Sequence, residues 1–115
     1  MQYNLKFSTL PQGDPVIEGE GKNEEFIAVF LRKWNTPYSV EILLEYLNVI
    51  KLDQKNHDDY RDILENGIYD DVHSSIFFKD KGIQVLFNNQ MSDEIALNDF
   101  IEIVNKWKSF INKNK

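Results

Sequence analysis

The chain opens with apolar side chains at Tyr3, Leu5 and Phe7 and polar ones at Gln2, Asn4, Lys6 and Ser8. That period of two predicts a strand with one face buried. Pro11, Gly13, Asp14 and Pro15 force a turn, and Val16, Ile17 and Glu18 form a short return strand that Gly19 and Gly21 end. The period then changes. Phe26, Ile27, Phe30, Leu31 and Trp34 recur at spacings of three and four, a helix with one buried stripe, with Asn23 as its expected N-cap and Glu24 and Glu25 in its first turn. Asn35-Thr36-Pro37 stops it. Thr36 or Ser39 caps a second helix on which Val40, Leu43, Leu44, Leu47 and Ile50 share a face widened by Ile42, Tyr46 and Val49.

A looser helix is expected from Asp58 to Glu65, closed by Asn66-Gly67 as a left-handed cap. Val72 to Lys79 and Ile83 to Asn88 flank Asp80-Lys81-Gly82, where glycine offers positive φ, and read as a hairpin. Glu94 to Leu97 adds a short edge strand. Asn98 is the expected cap of a last helix striped by Phe100, Ile103, Val104, Trp107, Phe110 and Ile111. The order strand, helices, hairpin, helix predicts an α+β fold, a small antiparallel sheet packed on one face by three to four helices.

Composition bounds the answer. The 115 residues, 42% apolar and 28% charged, fit a single domain over residues 1–115 that folds on one core. With no cysteine, disulfides and thiolate metal sites are excluded, in keeping with a reducing compartment. The first residues lack the apolar run of a secretion signal, and no stretch approaches the roughly 18 apolar residues that span a bilayer. The expected location is cytoplasmic, away from membranes.

Candidate chemistry is sparse. Only His57 and His73 could serve as imidazole bases or metal ligands. His57-Asp58-Asp59 superficially resembles a metal phosphohydrolase dipeptide, and Asp70, Asp71 and His73 could add ligands if the fold gathered them. Consecutive helical residues diverge by about 100°, however, and cannot all reach one ion. The paired acids Asp58/Asp59 and Asp70/Asp71 lie in polar surroundings that favour solvated carboxylates over an acid–base pair. Ser74-Ser75 lies in a strand without a nucleophile elbow. The five glycines form no phosphate loop, and only the C-terminal lysines are basic, which argues against nucleic acid as a ligand. Neither catalysis nor a cofactor nor a resident metal is expected.

Charge supplies the positive signal. The formal net charge is -6, and residues 56–71 hold six acids against one arginine. Asp58, Asp59, Tyr60, Asp62, Glu65, Tyr69, Asp70 and Asp71 combine carboxylates with tyrosine anchors, the chemistry of an interface with a cationic protein. The plain alternative is a solvated surface that aids solubility.

Three features together, namely small acidic size without cysteine, the hairpin IFFKDKGIQVLF and the closing EIALNDFIEIVNKWKSFI, resemble the immunity proteins of bacterial polymorphic-toxin and contact-dependent inhibition systems. The likeness is best over residues 72–111. It implies a cytoplasmic inhibitor that binds a cognate toxin domain, often a basic nuclease. Two other classes stand beside it: a small metal-dependent hydrolase using His57, His73 and nearby acids, and a structural adaptor or homodimer built on the hairpin edge.

Overall fold

A computed structural model describes residues 3–69 and 74–113. Its first unit is an antiparallel ribbon of β1 (Leu5–Thr9) and β2 (Pro15–Gly19), in which Phe7 lies opposite Ile17. The turn closes through the Leu10 N–H on the Asp14 carbonyl, 2.9 Å. Tyr3, Leu5 and Phe7 pack against the core, as the alternation predicts.

Next come α1 (Lys22–Leu31) and α2 (Pro37–Lys51). The second helix starts where the sequence places it: Thr36 and Ser39 form a reciprocal capping box with Pro37 at the first position. The first does not. Its N-cap is Gly21, without a side-chain cap bond, and Asn23 lies inside the helix. The Asn23 amide bridges instead to Asp93, its oxygen accepting that residue's N–H at 2.9 Å. A tertiary partner thus took the group that a local cap would have used.

After the loop of residues 52–59, α3 (Tyr60–Asn66) is shorter than expected and runs into β3 (Ile68–Tyr69). Gly67 between them has φ 79° and ψ -167°, so it is an extended glycine corner rather than a left-handed cap. A Cβ there would collide with the Ile76 carbonyl. The hairpin forms from β4 (Ser74–Phe78) and β5 (Gly82–Phe87), with Val72 and His73 outside the described residues. Gly82 is not needed for positive φ. It opens β5 where a Cβ would strike the backbone of β7 (Ile95–Ala96). β6 (Gln90–Met91) folds back on β5 through Asn88-Asn89, both at positive φ, a turn suited to a two-residue hairpin.

The main sheet is five-stranded and antiparallel, ordered β3-β4-β5-β6, with β7 also on β5. Strand β1 does not join it, so the chain builds two sheets rather than one. The hairpin strands have neighbours on both sides, leaving little of the edge that a hairpin-based homodimer would need. α4 (Leu97–Lys113) starts directly from β7, which places Asn98 within its first turn rather than at the cap. Its stripe is buried as predicted at Phe100, Ile103, Val104, Trp107 and Ile111, with Phe110 half-covered. One core joins helices, ribbon and the inner sheet face. No helix among the described residues is long and apolar enough to cross a membrane.

Candidate functional site

Directly opposed residues of antiparallel strands share a face. Ile68, Ile76 and Val85 form one cross-strand row, wholly buried, and so define the inner face. The next row, Tyr69, Ser75, Leu86 and Met91, therefore lies on the outer face, with Phe77 and Gln84 beside it. Tyr69 is 56% exposed, and Met91 is exposed as well. The outer face mixes the apolar Phe77, Leu86 and Met91 with the polar Ser75 and Gln84 and carries an exposed aromatic at the β3 edge.

That edge adjoins a groove of about 390 Å³ between α2, α3 and β3. Trp34, Ile42, Tyr46 and Ile63, half-buried or buried, make its floor. Asp59 and Asp62, both exposed, stand on its rim, and Tyr69 borders it. No Lys or Arg among the described residues lines it. The acids are three apart at the start of α3, a spacing that puts them on one helix face about 5–6 Å apart at Cβ. Asn66 orients Asp62 through a 2.8 Å bond to one carboxylate oxygen.

The floor is held from behind. Trp34 follows α1, and its carbonyl accepts the Trp107 indole N–H at 2.8 Å while its ring lies 5.8 Å from that of Phe30. Trp107 is fully buried. The Trp34 Nε1–H, by contrast, is shielded from solvent and has no hydrogen-bond partner among the described residues.

Of the residues singled out from sequence, the fold brings together Asp59, Asp62 and Tyr69. Asp58 is exposed in the turn before α3. Tyr60 turns to the preceding loop, its phenol donating to Asp53 at 2.5 Å, which with local burial and the Asp53 charge raises its pKa above the ordinary 10.0. Glu65 is engaged with Arg61 at 3.3 Å. Asp70 and Asp71 lie outside the described residues. Trp34, Ile42 and Tyr46 escaped the sequence reading because apolar residues at helical spacing look like core. Their signal was surplus: Ile42 and Tyr46 make the second helix's apolar face wider than one neighbour covers. Glu41 and Glu45 on the same helix extend the negative surface, although Lys108 pairs with Glu41 at 2.9 Å.

The histidine chemistry takes a structural form. His57 Nδ1 accepts the Asp59 N–H at 3.2 Å, and its Nε2 lies 3.8 Å from Glu45, so the ring braces the entry to α3 against α2. Among the described residues no three His, Asp or Glu side chains gather where one ion could be shared, and His73 lies outside them. A larger groove of about 750 Å³ runs between α1 and the β5–β6 turn over Phe26, Val29, Phe87 and Met91, with one lysine and one glutamate, Lys22 and Glu25, on its walls. The chain matches no model of a known family, no curated protein and no solved structure.

Proposed function

We propose that this protein acts by binding: it is an immunity protein that neutralises a cognate bacterial toxin domain by covering a basic surface of that domain. The observation that carries this reading is the uncompensated groove, in which Asp59 and Asp62 face an aromatic floor with no cation among the described lining residues. Acids on a solubilising surface are usually interspersed with bases and sit over polar ground. Here they border half-buried rings and adjoin, through Tyr69, the Phe77, Leu86 and Met91 side of the sheet. An apolar centre with a charged rim is the anatomy of a protein interface. A stable complex of this kind buries about 1,600 Å² in total.

Charge adds the kinetic half of the mechanism. A chain net charge of -6, with Asp59 and Asp62 at the contact surface, accelerates encounter with a basic partner and repels the phosphate backbone with which the inhibitor would compete. The test uses the purified domain encoded by the neighbouring reading frame. Expected are loss of that domain's toxicity on co-expression, and an association rate at low salt that falls about tenfold or more in Asp58→Lys/Asp59→Lys/Asp62→Lys. A neighbouring product that stays toxic, or a rate that ignores the three reversals, refutes the reading.

A further inference from the structure

The acid-rimmed groove selects for more than charge. A lysine ammonium is a compact, strongly hydrated point charge that gains little from a flat apolar floor. A guanidinium is planar and weakly hydrated above and below its plane, and it donates outward within that plane to more than one carboxylate. The groove offers the second set of partners. Trp34 and Tyr46 supply rings, Ile63 supplies apolar depth, and Asp59 and Asp62 supply two acceptors on one face of α3. The backbone of Trp34 is tied to Trp107 through its carbonyl, and its ring rests against that of Phe30 on the core side. A floor fixed in advance lowers the ordering cost of binding.

We infer that the groove between α2, α3 and β3 receives an arginine side chain of a basic partner protein, with the guanidinium plane stacked on Trp34 and Tyr46 and its N–H groups donated in that plane to Asp59 and Asp62. Charge complementarity decides the occupant: the two acids have no basic counterpart among the described lining residues, whereas the larger groove beside α1 balances Lys22 against Glu25 and expresses no such preference. This inference rests on the proposed protein-binding role and names the group that the site recognises.

The test needs no identified partner. The isotopically labelled chain is titrated with N-acetyl-arginine amide, N-acetyl-lysine amide and the neutral isostere N-acetyl-citrulline amide while the indole Nε1–H resonance of Trp34 is followed, that resonance being assigned from Trp34→Phe. Saturable shifts with the arginine compound are expected, about tenfold weaker affinity for the lysine compound, and no saturable response to citrulline. The double variant Asp59→Asn/Asp62→Asn abolishes the arginine response. Equal responses to arginine and citrulline, or a linear response to both, overturn the inference on the unaltered protein, whatever the fold of the variant. The two readings fail separately. A saturating arginine site beside an unneutralised toxin removes only the immunity role. Toxin binding that needs the acids, without an arginine response, removes only the arginine site.

Discussion

Two grooves of this molecule are built alike and differ in chemistry. The cavity beside α1 is nearly twice the size of the one between α2 and α3, about 750 against 390 Å³, and both have apolar floors. By size alone the first would be the site. Its one lysine and one glutamate cancel, and Lys22 is further drawn to Asp93 at 3.5 Å. The smaller groove has two acids and no described base, and its floor is anchored to the most deeply buried tryptophan. Volume measures what can enter. Charge and rigidity decide what is held.

The most forceful way to break this comparison is to remove the anchor. Trp107→Ala deletes a fully buried ring and the bond to the Trp34 carbonyl, and is expected to lower stability by about 3–5 kcal/mol in urea unfolding. In whatever fraction stays folded, the arginine response should weaken more than any response at the α1 groove. A loss below about 1 kcal/mol would mean that the floor is not held from behind.

Charge-matched reversal sharpens the contrast. Asp59→Lys/Asp62→Lys and Glu18→Lys/Glu25→Lys change the net charge equally, but only the first pair lies at the proposed contact. The first should slow association with the basic partner about tenfold at low salt, and the second by about twofold, through long-range steering alone. Equal losses would show that only total charge matters.

Much of this arrangement was legible in the chain, and the exceptions share one cause. The second helix could be read whole, cap and stripe, because Thr36, Pro37 and Ser39 act on one another within a few residues. The last helix's stripe and the hairpin were legible for the same reason. Asn23 and Asn98 are good local caps that the fold did not use. Asp93 took the amide of the first, and β7 ran into the helix ahead of the second. Gly82 read as a turn glycine, but its value lies in the close approach of Ile95, thirteen residues away in sequence. The β6 strand was missed because its signal is only Asn88-Asn89 and two residues that follow. The acids of the groove could be seen in sequence, whereas its floor could not. Whether Trp34 and Tyr46 are core or surface depends on where α3 and β3 stop covering them.

A smaller effect checks the legible part. Thr36→Ala removes the capping box at the start of α2 and should cost about 1 kcal/mol. Trp34, two residues before the cap, is tied separately to Trp107, and Ile42 and Tyr46 lie further along α2, so the arginine response should change little. A large change there would mean that the groove depends on α2 as a whole and not on its anchored floor.

The smallest expected effect concerns the loop that carries the acid rim. Tyr60 donates its phenol proton to Asp53, which ties the end of α2 to the start of α3 and holds the phenol's pKa above 10.0. A folded pKa raised above the unfolded one means that the native state retains the proton longer. The bond's contribution is therefore fully present below about pH 10 and disappears as pH rises through the folded value. Burial and the nearby Asp99 and Glu24 raise the Tyr3 phenol in the same direction, so a whole-protein titration would mix the two groups. The difference between the native chain and Tyr60→Phe isolates the one of interest. That difference in stability should be measurable at about pH 8 and shrink at a second pH above the raised phenol value, and the arginine response should fall with it while the α1 groove stays unaffected. A gap that is the same at both pH values would remove the phenol bond from the account and leave the orientation of α3 to His57 and the core contact of Ile63 alone.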